Sequence, residues 1–282
     1  MLLQQKRWKQ SRILLRVCKM KYFYSPTKAD YSKYLFPYQV YLIKEEADSA
    51  EEIYAKGFLP VRTIYDLYYL ARSTRVDLGN FELSSENRRI LRKVENFYFE
   101  VKDIDKFKLD ESALKIIRQF AKSKFDKALL KDSSLKKIFS VLGNYNKVAC
   151  FSDKIGLQGL AVLCVNGKTV HYAHPFYAID ERFKDLGLGM MTSVVDWASA
   201  SSKKYVYLGT VYGKSSLYKT QFKGFEFFDG VGWSIDIGKL KEIIKLEEGK
   251  FSGHLLQNKS HIKKYYNFPS LTRLVKKLKY EL

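Results

Sequence analysis

"RFKDLGLGMMTSVVDWASASSKKYVYLG", residues 182–209, decides the fold. A glycine-bearing turn opens an apolar helix, and "KYVYLG" follows as an alternating strand that stops at Gly209. Upstream, residues 148–179, "VACFSDKIGLQGLAVLCVNGKTVHYAHPFYAI", read as β throughout, with Asn166-Gly167 as the central pair of a type I′ hairpin. A helix joins the strand before it to "KYVYLG", so these two strands are expected to run parallel. A short helix and another strand follow. The order predicts an α+β fold of α/β-like character: a mixed, twisted sheet with flanking helices.

Further out the signals are local. Ser49 and Glu52 in "SAEEIYAK" form a capping-box pattern, and Gly57 stops that helix. From residue 111, "ESALKIIRQFAKSKFDKALL" repeats its apolar residues at three and four, the stripe of a helix that faces a core. From residue 239 the chain is Lys-rich and ends in "LTRLVKKLKYEL", read as a basic amphipathic helix. The expected organisation is a basic extension over 1–21, an N-terminal region over 22–110, a second domain over 111–238 and a basic helical tail over 239–282. Met20 could equally serve as the start.

The chain has 282 residues, 46% of them apolar, enough to bury a large core. Fifty Lys and Arg against 30 Asp and Glu give a formal charge of +20, which points to a polyanionic partner, nucleic acid before membrane. A solvated basic surface is the plainer reading of the same charge. Cys18, Cys150 and Cys164 are odd in number and widely spaced, which fits a reducing cytosol and offers neither a disulfide framework nor a zinc ribbon. The longest apolar run, "LAVLCV" at 160–165, is too short to span a bilayer, and the N-terminus lacks the apolar segment of a signal peptide. A cytoplasmic monomer, away from membranes, is expected.

Lys184, Gly187 and Gly189 stand at the mouth of the 182–209 helix, where free N–H groups and the positive helix end suit phosphate. A helix start with unusual backbone angles would use glycine too. The spacing resembles the R/Q-x-x-G-x-G/A signature of the GNAT acyltransferase superfamily, with Lys first. That resemblance implies the GNAT fold and a pyrophosphate-binding turn for acetyl-CoA, or, in one branch, an aminoacyl-tRNA donor.

Residues 207–226 choose the branch. "YLGTVYGKSSLYKTQFKGFE" resembles the Y-L-G and Y-K-x-x-F-x-P-x-E elements of arginyl-tRNA–protein transferases, through Tyr207, Leu208, Gly209, Tyr218, Lys219, Phe222 and Glu226. Gly224 stands in place of the usual proline. Upstream, "RVDLGNFELSSENRRILRK" is similar to another block of that family through Arg75, Phe81, Ser84, Asn87, Arg88 and Arg89, and "KGFLPVR" keeps Gly57 and Phe58 of its G-F-R-R element. The family's CxxC-like cysteines ahead of the first block are absent, so no metal or cofactor is carried over.

The resemblance implies aminolysis of an aminoacyl ester by a protein's N-terminal amine, with arginyl or leucyl as the transferred group. The partners are then tRNA and an acceptor N-terminus, and acetyl-CoA is the donor in the alternative acyl-CoA reading. An inactive RNA-binding GNAT-like scaffold is the third reading. Tyr207, Lys219 and Glu226 become the catalytic set. Tyr212 and Tyr218, with Tyr207, are placed to stack on the terminal adenine. Arg75, Arg88 and Arg89 are placed to grip a carboxylate or the tRNA backbone, although Arg88 and Arg89 read equally well as a solvated helix face. Asp180, Glu226 and Asp229 are candidates for a cationic aminoacyl side chain or a proton. His171 and His174, three apart on a strand, should face opposite ways and share no metal.

Overall fold

A computed structural model describes residues 40–124, 131–180, 183–248, 258–270 and 273, together with the strand at 21–24. The expected N-terminal extension and most of "LTRLVKKLKYEL" lie outside the described residues. The first strands are β1 (Lys21–Tyr24), β2 (Val40–Ile43), β3 (Phe58–Pro60) and β4 (Leu67–Leu70), and they form a small antiparallel sheet in the order β1-β2-β4-β3. Strands β5 (Ser73–Asp77), β6 (Tyr98–Asp103), β7 (Lys147–Asp153), β8 (Gly156–Val165), β9 (Thr169–Tyr177), β10 (Tyr205–Thr210), β11 (Phe225–Phe228) and β12 (Trp233–Ser234) form the large one. Its order is β12-β11-β5-β10-β9-β8-β7-β6, so strands from both sides of residue 110 share it.

The helices are α1 (Ala50–Ala55), α2 (Ser85–Lys93), α3 (Glu111–Lys124), α4 (Asp132–Ile138), α5 (Leu186–Ala200), α6 (Ile237–Glu248) and α7 (Lys259–Tyr266). Strand alternation sorts the core between two faces. Val148, Cys150, Leu160, Val162 and Cys164 pack with Tyr54 of α1, the α3 stripe Ala113, Ile116, Ile117 and Phe120, and Leu135 and Ile138 of α4. Their neighbours Ala149, Phe151, Ala161 and Leu163 pack instead with Leu186, Met190, Val194 and Ala198 of α5 and with Val94 beyond α2. The result is a mixed α+β fold with helices on both faces of one sheet. Among the described residues no helix is long and apolar enough to cross a membrane.

β9 and β10 run parallel and the other pairs of the large sheet run antiparallel, as the helix between them requires. Two local expectations are corrected. The β8–β9 hairpin forms, but neither Asn166 nor Gly167 has positive φ, so it is not a type I′ turn. Tertiary contacts hold it instead: Lys203 Nζ donates to the Asn166 and Gly167 carbonyls, and the Lys168 N–H donates to Glu51. Helix α1 forms without the capping box, because the Ser49 side chain makes no cap bond. The reciprocal box appears at α2, between Ser84 and Asn87.

Candidate functional site

β9 stays paired with β8 as far as Tyr177, but with β10 only as far as His171, which sits opposite Tyr207. β10 continues to Thr210 along β5. The two parallel strands therefore part beyond the His171–Tyr207 rung, and the carboxyl ends of parting parallel strands are where α/β sheets bind ligands. Gly209, at φ +77°, sits at the irregularity in β10 between Tyr207 and Thr210, one residue before the strand ends. The chain then winds through a 3₁₀ segment, Lys214–Gln221, pinned by Leu217 against Val211, Phe225 and α6.

That segment delivers Lys219. Its ammonium is buried at 9% exposure, and its one hydrogen bond is to the Thr210 carbonyl, 2.7 Å away. Among the described residues no carboxylate lies within ion-pair reach of it. Burial pushes its pKa down to about 8. A Cβ at Gly209 would lie 3.8 Å from Nζ, so the backbone turn leaves the ammonium room. His171 feels its charge: burial first and Lys219 second push the imidazole down to about 3, so it is neutral. On the other side of the sheet the Tyr172 hydroxyl is buried without a hydrogen-bond partner, close to Tyr177 and the exposed Tyr218.

The adjacent rungs are closed. Tyr207, Arg75 and Glu226 stand in register across β10, β5 and β11 and so share one face. Arg75 Nε donates to Glu226 at 2.5 Å, and its guanidinium is sandwiched between the Tyr205 and Trp233 rings at 3.9 and 4.0 Å. The carboxylate-gripping role expected of Arg75 and the proton-accepting role expected of Glu226 are thus already answered by each other. Tyr207 is fully buried, with the Tyr54 and Trp233 rings at 4.9 and 5.8 Å, which leaves no face for a base.

The other candidates are spread out. The Tyr212 hydroxyl accepts from the Arg72 N–H at 3.1 Å, and its ring lies under the Arg72 guanidinium. Arg88 and Arg89 lie on the exposed face of α2, where Arg88 donates to the Leu83 carbonyl and Arg89 pairs with Glu86. Asp229 is buried against Lys239. Asp180 follows β9, and its carbonyl accepts from the Phe183 N–H.

Gly187 and Gly189 are both explained by packing: a Cβ would strike the Tyr177 ring at 2.5 Å in the first case and Val94 at 2.3 Å in the second. Lys184 lines an open hollow of about 330 Å³ at the start of α5, where Asp185 is already paired with Lys93. Gly224 has φ +82°, and a Cβ there would lie 2.4 Å from the Asp77 carbonyl. A proline, locked near −65°, does not fit this backbone.

The histidine expectation is corrected by a bulge. Leu163 pairs with Tyr172 and Val162 with His174, so β9 carries Ala173 as an extra residue. The extra residue reverses the alternation and puts His171 and His174 on the same face. They bond different tyrosines, Tyr54 and Tyr145, at 3.0 and 2.9 Å. No metal-holding group of three ligands occurs among the described residues. Tyr54 and Trp233, which wall this face, went unnoticed in sequence, and neither belongs to a motif that could have marked it.

No protein-family model matches the sequence, and no curated protein is similar to it. Among solved structures, the C-terminal domain of a putative lysylphosphatidylglycerol synthetase from Agrobacterium fabrum is similar at 15% identity and a TM-score of 0.40, over 74% of this chain and 56% of that one. L-PGS from Bacillus licheniformis gives 12% and 0.36 over 57% and 51%. FemX gives 10% and 0.39 over 74% and 68%. The chain thus spans about half the length of the first two.

Proposed function

We propose that this chain is a GNAT-like transferase that moves an aminoacyl group from tRNA to an amine, with a protein N-terminus as the acceptor. The observation that carries the reading is Lys219: a buried ammonium with no carboxylate partner among the described residues, at the point where β9 and β10 part. A cation buried without an anion costs several kcal/mol, on the order given by ion desolvation, and that cost is recovered where an anion forms during reaction. The residues that resemble the arginyl-tRNA–protein transferase motif include this lysine, and the formal charge of +20 suits a tRNA donor.

The step balances simply. The amine nitrogen attacks the ester carbonyl carbon, a C–N bond forms, and the carbonyl π pair moves to oxygen. Lys219 holds that oxyanion in charged form, and Thr210 orients the ammonium. The oxyanion collapses, the ester C–O bond breaks, and the ribose oxygen takes up a proton while the amine loses one. Because both glycines of the α5 turn are filled by packing, the acyl-CoA alternative has less to rest on.

The experiment uses the purified protein, tRNAs charged with labelled arginine or leucine, and peptides with Asp, Glu, Lys or Arg N-termini. Acetyl-CoA is run in parallel. Label passing from tRNA to peptide is expected, and label passing only from acetyl-CoA would replace this reading with the acyl-CoA one. The alkaline limb of kcat/KM should fall with an apparent pKa of about 8, as Lys219 of the free protein loses its proton.

A further inference from the structure

His171 occupies the last paired rung between β9 and β10, and among the described residues its one hydrogen bond joins Nδ1 and the Tyr54 hydroxyl, at 3.0 Å. Among the described residues its Nε2 has no partner. The imidazole lies in the field of the Lys219 ammonium, which is bonded to the Thr210 carbonyl, three residues beyond Tyr207 on β10. Tyr54 is fully held: its ring packs on those of Tyr68, His171 and Tyr207, and its hydroxyl lies beside the buried Cys164.

The chemistry of that contact selects a tautomer. Burial keeps the Tyr54 phenol protonated. Imidazole nitrogen is a far better acceptor than a thiol sulfur, so the phenol proton goes to Nδ1 rather than to Cys164. Nδ1 is then the acceptor and the ring proton sits on Nε2.

Resting on the transfer reading above, we propose that His171, as a neutral Nε2–H donor, is the second donor to the oxyanion beside Lys219, with Tyr54 as the positioning residue that sets its tautomer. A neutral imidazole gives a hydrogen bond without adding a second positive charge next to the ammonium. It also binds the oxyanion more strongly than the ground-state carbonyl, which is the requirement for lowering the barrier.

Nitrogen-15 NMR of the full chain, with imidazole-labelled histidine and His171 assigned by its absence from the His171→Gln variant, tests the tautomer without any substrate. A protonated Nε2 and bare Nδ1 are expected, and Tyr54→Phe should mix the tautomers while Tm moves little. In transfer assays His171→Gln, whose amide N–H reaches the Nε2 position, should keep kcat within about tenfold, whereas His171→Leu should lose about a hundredfold. A proton on Nδ1 in the unaltered protein, or equal kcat in folded Gln and Leu variants, overturns the proposal. If the unaltered protein transfers nothing from any charged tRNA, both the donor role and the transfer reading fall, and an Nε2–H signal would show that the tautomer was not the cause.

Discussion

Among the described residues two lysines are buried, Lys219 and Lys239, and their surroundings are opposite. Lys239, 6% exposed on α6, is paired with Asp229, donates to the Tyr266 hydroxyl at 3.2 Å and lies over the Tyr266 ring at 4.4 Å. Tyr266 in turn donates to Asp229 at 2.8 Å, so α6, α7 and the turn after β11 close on one neutral network. Lys219 is almost as buried but, among the described residues, has one backbone carbonyl and no acid. A charge that holds a fold together is neutralised within the fold. A charge left short of partners where two parallel strands part is the feature on which the transfer proposal rests.

The largest expected effect belongs to the satisfied lysine. Lys239→Ala leaves Asp229 buried without its cation and should cost about 3–5 kcal/mol in denaturant unfolding. A loss below 1 kcal/mol would show that the α6–α7 corner does not depend on the pair. Next, Lys219→Ala should lower kcat for transfer by about a hundredfold to a thousandfold while Tm changes little, which steady-state kinetics beside a melting curve would read. Equal activity would remove Lys219 from the chemistry.

Stability should separate the two lysines by sign. At pH 7 Lys219→Met should raise stability by about 1–3 kcal/mol, since it removes a buried charge that lacks a counter-ion. The folded pKa of Lys219, about 8, is below its ordinary value of 10.5, so between those values the unfolded chain holds more protons and stability rises with pH. The unaltered protein should therefore gain stability from pH 8 to 10.5, and the methionine variant should lose that part of the slope. The smallest effect is at Arg89, exposed and paired only with Glu86: Arg89→Ala should change stability by about 0.5 kcal/mol or less. A loss of tRNA binding in that variant would move the nucleic-acid contact to α2.

Much of this architecture was legible because its signals are local. The stripe at Ala113, Ile116, Ile117 and Phe120, the β run over 148–179 and the crossover at 182–209 each follow from a period or a connection length. Of the residues that the motifs singled out, Lys219 is the one on which the proposed function rests. Tyr207, Arg75 and Glu226 were chosen from motifs too, but they meet one another, because β5 inserts between β10 and β11. No periodicity announces that insertion. His171 was set aside on a strand parity that one bulged residue, Ala173, reverses.

By itself the sequence determined the helices that begin at 111 and after 182, the strands over 148–179 and at 205–209, the parallel run of β9 and β10, and a lysine in the segment after β10, whereas most strands before residue 110 carried no periodic signal of their own. Spacing encodes the former, because side-chain direction repeats every two or 3.6 residues along a chain. Only the tertiary structure decided which charges find partners. Whether Lys219 or Lys239 meets a carboxylate, and whether the Tyr54 phenol meets His171, depends on contacts between residues far apart in the chain. Burial and pairing set the free energy of a charge, and both are properties of the packed molecule, not of the chain.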